Sequence, residues 1–277
     1  MLQNHVISLT TAHERRTHIT NEFAKHNIPF DFFDAVTPGD RLNQVITQFA
    51  PGLINQPKLS LGEKACFMSH VLLWHKCVED NLPYMAIYED DIILGQDSGT
   101  LLSDDSWIKE RFSALNTPYI IRTETFLMKV GTKASNIASI SLNNEKDSEV
   151  SYSLDILTSR HYGTAGYIIS NATAKKFLDR ISQLPSQLFN PLDHFMFRDY
   201  VDDIQFATVY QLNPGICVQE MLIQKNHSRL GSDIEKERSS NRKQNKDKLD
   251  PLAKLLREIK KIPDAIRKLS YQEIPFK

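Results

Sequence analysis

No stretch of the 277-residue sequence approaches the roughly 20 consecutive apolar residues that a helix needs to cross a bilayer. The opening Met1-Leu2-Gln3-Asn4-His5 also lacks the basic and apolar segments of a secretory signal, so a cytoplasmic chain is expected. Cysteine is scarce, with three in all. Cys66 and Cys77 fall on one predicted helix about 16 Å apart along its axis, too far for a disulfide. They read as reduced core residues, and Cys217, in a predicted strand, reads the same way. With only 10 Gly and 12 Pro and with 41% hydrophobic residues, the chain has the composition of a globular α/β protein with one large core.

The formal net charge of −1 excludes a strongly basic chain, and no nucleic-acid partner is expected. The charge is unevenly placed. Residues 228–277 carry 14 Lys+Arg against 8 Asp+Glu, whereas residues 1–227 carry 19 against 26. We therefore expect a main domain over 1–227 and a basic tail over 228–277. The segment from Ser239 to Lys248 has no apolar residue and reads as a solvated linker. Beyond it Leu252, Leu255, Leu256, Ile259, Ile262, Ile266 and Leu269 recur at three- and four-residue spacing among lysines and arginines, the pattern of a basic amphipathic helix bent near Pro263. Such a helix suits an anionic membrane surface, or packs its apolar face on the domain or on a second subunit.

What stands out against this background is Tyr84-Met85-Ala86-Ile87-Tyr88-Glu89-Asp90-Asp91-Ile92-Ile93-Leu94, in which three acids interrupt an otherwise apolar strand. Three carboxylates at a strand end repel one another and resist desolvation, so a divalent cation holding a phosphorylated ligand is one reading. A solvated acidic turn is the other. Upstream, His5–Leu9 reads as a strand, Thr11-Ala12-His13-Glu14 as a capping box, the following helix as running to about Asn27, and Phe30–Val36 as a second strand completing a βαβ unit. Arg15 and Arg16 in the first turns of that helix could face an anionic ligand, or be solvated surface residues. A second capping box, Ser60-Leu61-Gly62-Glu63, opens a helix that is apolar over most of its circumference and ends at Asn81 and Pro83. Within it His70 reads as a satisfied core histidine.

The ordered blocks Val6-Ile7-Ser8-Leu9 with Arg15-Arg16, Gly62-Glu63-Lys64-Ala65-Cys66-Phe67-Met68-Ser69-His70, Glu89-Asp90-Asp91, Gly163–Ser170 and Pro191-Leu192-Asp193-His194-Phe195 together resemble glycosyltransferase family 25. That family contains bacterial lipopolysaccharide and lipooligosaccharide sugar transferases, many of them galactosyltransferases. Ser8 and Ala65 depart from its pattern, standing where Asn and Gly are expected. The resemblance implies a GT-A type nucleotide-sugar-binding α/β sandwich, a UDP-sugar donor, a glycolipid or oligosaccharide acceptor, and Mn²⁺ or Mg²⁺. It implies Asp91 as metal ligand, Glu89 as a contact to the metal, its water or the ribose, and Ser8, Arg15, Arg16 and Asp34 around the nucleotide. His227 is a further candidate for the metal shell. The implied reaction is inverting, with Asp193 as the base for the acceptor hydroxyl. Two other classes remain open from the residues: a silent nucleotide- or sugar-binding protein at a membrane, and a metal-dependent phosphohydrolase.

Overall fold

The structure is a computed structural model that describes residues 1–115, 117–143, 149–199, 201, 203, 205–224, 230 and 268–277. Its βαβ start follows the alternation of the sequence: β1 (Asn4–Ser8), α1 (His13–Lys25) and β2 (Asp31–Asp34), with the two strands parallel and in register from His5 opposite Asp31 to Ser8 opposite Asp34. The expected box on Thr11 does not form. The helix is capped at Ala12 without a side-chain bond, because the chain enters through a tight turn in which Ala12 N–H donates to Leu9 and His13 N–H to Thr11. Next come α2 (Asp40–Phe49) and α3 (Leu61–Glu79). The second box is present as expected, with Glu63 N–H donating to Ser60 Oγ and Ser60 N–H to Glu63 Oε2.

β3 (Tyr84–Glu89) lies parallel to β1 and is buried on both faces. Met85 and Ile87 join one apolar cluster with α3, whereas Tyr84, Ala86 and Tyr88 join another with Ile19 and Phe23 of α1. This two-residue alternation is what places helices on both sides of the sheet. β3 ends at Glu89, so the acids fall at a strand end as expected. Asp90 and Asp91 form a turn, and β4 (Ile92–Leu94) leaves for a second sheet, since three adjacent carboxylates cannot continue through a buried ladder.

After α4 (Ser98–Ser103) and α5 (Ser106–Phe112) come β5 (Tyr119–Arg122), the short β6 (Glu124–Thr125), β7 (Lys129–Val130) and β8 (Thr132–Lys133), then β9 (Ile140–Asn143) and β10 (Glu149–Leu157). β11 (Gly166–Ser170), α6 (Asn171–Gln183), α7 (Leu192–Phe197), β12 (Thr208–Asn213), β13 (Cys217–Gln219), α8 (Glu220–Ile223) and β14 (Gln272–Glu273) complete the described elements. The large sheet runs β2-β1-β3-β11-β5-β12-β10-β8, with β9 on β10. It is mixed, because β11 is antiparallel to both β3 and β5. A small sheet, β4-β13-β6, lies beside it.

The last residues belong to the domain rather than to a separate tail. β14 pairs antiparallel with β7, Ile274 is buried, and its carbonyl accepts from Thr125 Oγ1. Gly95 lies against the Lys277 carbonyl so closely that an added Cβ would sit 1.7 Å from it. The expected linker and amphipathic helix of residues 239–267 lie outside the described residues. Among the described residues no helix is long and apolar enough to cross a membrane. The three cysteines form no disulfide; Cys77 and Cys217 are buried and Cys66 half-buried.

Candidate active site

The parallel strands β2, β1 and β3 end on the same side of the sheet, where a mixed α/β fold binds its ligands. Asp34, Ser8 and Glu89 therefore arrive together, with the Asp90-Asp91 turn beside them. Asp90 is 6% exposed and already engaged: Ser8 Oγ donates to its Oδ2 at 2.7 Å, and Arg15 Nη1 to its Oδ1 at 2.5 Å. Asp90 thus fixes the turn to β1 and α1. The rest of the Arg15 guanidinium, Nε and Nη2, donates to the Leu230 carbonyl at 3.1 Å.

Arg16 is committed as well. It donates to the carbonyls of Ser8 and Leu9 and, at 2.5 Å, to Asp34 Oδ1, and its guanidinium lies 4.7 Å from the Phe32 ring centroid. The two arginines are therefore ion-paired at the strand ends, Arg15 within a buried corner and Arg16 to the exposed Asp34.

Asp91 has a different environment. Its backbone carbonyl takes the Glu220 N–H at 2.8 Å, and Gln219 Nε2 approaches both carboxylate oxygens at 3.4 Å. Gln219 reaches it because β13 pairs antiparallel with β4, setting Gln219 opposite Ile92. Burial, together with the charges of Glu89 and Asp90, pushes the Asp91 pKa up to about 7 against the smaller opposing effect of Arg15. This carboxylate has no dedicated cation among the described side chains. Such an oxygen donor fits Mn²⁺ or Mg²⁺, which take one or two protein carboxylates and complete their shell from substrate phosphates.

Glu89 sits at the end of β3, its Oε1 accepting from Thr164 Oγ1 at 2.7 Å and lying 3.7 Å from His70 Nε2. Burial alone would raise its pKa; His70, Thr164 and the charge of Arg15 outweigh that and hold it below the ordinary value. Three-donor groupings within 4.8 Å do not include Asp91 among the described residues; Cys66, His70 and Glu89 form one. Asp193 lies in the first turn of α7, whose cap is Pro191, and its Oδ1 accepts the His194 N–H at 2.9 Å. The His194 ring lies 5.7 Å from that of Tyr162, an exposed side chain two residues before Thr164. His227 lies outside the described residues.

Sequence reasoning passed over Arg122 and Glu124. Arg122 Nη2 donates to Glu124 Oε1 at 2.6 Å and to the Tyr162 carbonyl at 2.9 Å, and its guanidinium lies 4.8 Å from the Phe197 ring centroid. Glu124 Oε2 accepts the Ala165 N–H. One buried ion pair thus ties β5 and β6 to the 162–165 loop and to α7. Gly163, at φ +85°, lets the loop pass: a Cβ there would meet Glu124 Oε1 at 2.5 Å. The available signal was an arginine ending the apolar run Tyr119-Ile120-Ile121.

An acidic turn at the carboxyl ends of parallel strands, flanked by paired arginines, lies where open α/β sheets hold their ligands. Residues 1–196 match the model of glycosyltransferase family 25, described as "LPS biosynthesis protein", and the chain belongs to that family. It is 45% identical over 246 residues to the lacto-N-neotetraose biosynthesis glycosyltransferase LgtB of Neisseria meningitidis serogroup B, covering 88% of this chain and 86% of that one. It is 43% identical to LgtE of the same organism, covering 87% and 84%. The lipooligosaccharide biosynthesis protein lic2B of Haemophilus influenzae is 40% identical, covering 85% and 82%.

Proposed function

We propose that this chain is a divalent-metal-dependent, inverting GT-A type transferase that moves a hexose, galactose first among the candidates, from a UDP-sugar to a lipooligosaccharide acceptor. The carrying observation is Asp91: a buried carboxylate at the strand ends, beside two other acids, with no side-chain cation of its own among the described residues. Family membership and the names of the relatives support sugar transfer. A cation held by Asp91, with Glu89 beside it, would offset the charge that develops on the departing UDP.

The remaining roles fall to the chain itself. Ser8 and Arg15 hold Asp90, and so the turn that presents Asp91. The acceptor oxygen attacks the anomeric carbon as the carbon–oxygen bond to the diphosphate breaks; UDP leaves with that electron pair, and Asp193 takes the hydroxyl proton. The basic segment of the tail brings the enzyme to the anionic inner face of the membrane, where a lipid-anchored acceptor is found. The test is transfer of labelled sugar from a panel of UDP-sugars to truncated lipooligosaccharides, with Mn²⁺ and with EDTA. Transfer from UDP-galactose that EDTA abolishes is expected. Undiminished transfer in EDTA overturns the metal assignment, and phosphate release without any glycoside product favours a phosphohydrolase.

A further inference from the structure

His70 is fully buried in the middle of α3, yet it faces the functional corner. Its Nδ1 lies 2.8 Å from the Tyr167 hydroxyl, which also accepts the Trp74 indole N–H at 2.9 Å. The three side chains come from two elements: α3 supplies His70 and Trp74, one helical turn apart, and β11 supplies Tyr167. The imidazole and phenol planes are inclined by 15°, with the ring centroids 5.7 Å apart.

Counting donors assigns the protons. Trp74 can only donate, so the Tyr167 oxygen accepts from it and its own O–H needs an acceptor. Nδ1 is the acceptor at hand, and this fixes the tautomer of His70: Nδ1 bare, Nε2 protonated. The Nε2–H has no hydrogen-bond partner among the described residues, and Glu89 Oε1 lies 3.7 Å from it. Closing that gap to a normal hydrogen bond takes a movement of about 0.8 Å. Oε1 already accepts from Thr164, and a second donor on the same atom would leave Oε2 to meet the ligand.

We propose that His70 is a positioning residue of the transferase: the chain Trp74–Tyr167–His70 directs a fixed Nε2–H at Glu89 and orients that carboxylate toward the nucleotide-sugar side of the site. The inference rests on the donor-site reading given above for what Glu89 then does, but the tautomer stands on hydrogen bonding alone. It competes with a different use of the same atoms. Cys66 Sγ, a ring nitrogen of His70 and a Glu89 oxygen lie within 4.8 Å of one another, a donor set suited to Zn²⁺, and Nε2 is the nitrogen on the Glu89 side. A metal on Nε2 would require that nitrogen to be bare and Nδ1 to carry the proton. The Tyr167 O–H would then lose its acceptor, and the hydrogen bonding therefore favours the relay.

The test reads the tautomer and the binding separately. In ¹⁵N-labelled full-length protein, long-range ¹H–¹⁵N correlations are expected to show His70 with Nε2 protonated, and Tyr167→Phe to shift it toward the Nδ1–H form. By calorimetry His70→Gln, which keeps a donor near the Nε2 position, should hold Mn²⁺-dependent UDP affinity within about threefold, and His70→Leu should lower it by about tenfold or more. Tyr167→Phe should lower it several-fold while remaining folded in a thermal melt, which covers the case in which His70→Leu does not fold. The relay is overturned by an Nδ1–H tautomer in the wild type, by unchanged UDP affinity in folded His70→Leu or Tyr167→Phe, or by stoichiometric Zn²⁺ that is lost in Cys66→Ser. If the wild type binds UDP without any Mn²⁺ dependence, the donor-site reading falls. The tautomer and its response to Tyr167→Phe then still decide the relay.

Discussion

Asp91 and Glu124 are both buried carboxyl groups whose pKa burial pushes up to about 7, and they mean different things. Glu124 has a dedicated counter-charge. Both its oxygens accept from N–H donors, Arg122 and Ala165, so a protonated carboxyl would have nowhere to donate. Asp91 faces Glu89 and Asp90, takes two long contacts from Gln219, and is helped only at a distance by Arg15. A paired buried charge holds elements in place, whereas an unpaired one at a strand end is poised for an ion that arrives with the ligand.

The largest effect is expected where the pair is broken from one side. Arg122→Leu leaves Glu124 buried without its cation and should cost about 3–5 kcal/mol in urea unfolding, whereas Arg122→Met with Glu124→Leu should recover much of that loss. If the single variant is as stable as the wild type, the pair does not hold the loop, and the contrast with Asp91 collapses.

Asp91→Asn should do the reverse. It should abolish Mn²⁺-dependent UDP binding in calorimetry while stabilising the metal-free protein at high pH. The sign follows from linkage: a folded pKa of about 7 lies above the ordinary aspartate value of 3.8, so the contribution of Asp91 is fully present below that lower value and is lost as pH rises toward 7. In EDTA at pH 8 the variant should therefore gain on the order of 1 kcal/mol or more over the wild type in urea unfolding, and at pH 4 almost nothing. An equal gain at both pH values would show that Asp91 is not the group carrying the strain.

Asp193 sharpens the comparison from the side of chemistry, being a half-buried carboxylate that serves neither a pair nor, in our reading, a metal. Asp193→Asn should keep Mn²⁺-dependent UDP affinity and lose turnover by about 100-fold in the transfer assay. Near-normal turnover would leave it only its bond to the first turn of α7.

The smallest effect per residue should come from the basic charges of residues 254–261. Replacing Lys254, Arg257, Lys260 and Lys261 by Gln should weaken sedimentation with anionic vesicles by at most about 1 kcal/mol per residue, vanish at high salt, and spare transfer to a soluble acceptor. Deleting residues 239–277 is the poorer experiment, because it also removes β14 and buried Ile274 from the domain. Unchanged vesicle binding by the substituted protein at low salt would remove the membrane role.

Local signals carried much of the reading. The βαβ start, the Ser60 box and the reduced cysteines follow from short-range periodicity and capping chemistry. The Thr11 box failed because a backbone turn through Leu9 and Thr11 moves the helix cap to Ala12, which residue types alone do not reveal. His70 was read as a satisfied core histidine. It is core on its Nδ1 side, but its other nitrogen is unsatisfied and turned to Glu89, a distinction that depends on which strand packs against α3.

By itself the sequence determined the alternating α/β pattern, the acidic strand end and the family, because these depend on periodicities and residue types within a few positions of one another. Only the tertiary structure decided how the charges are shared. Ser8 and Arg15 claim Asp90 across 82 and 75 positions, Thr164 claims Glu89 across 75, and Gln219 reaches Asp91 across 128. Each pairing is set by strand register and burial, and in a desolvated corner the partner a carboxylate acquires decides whether it braces the fold or remains available to a ligand.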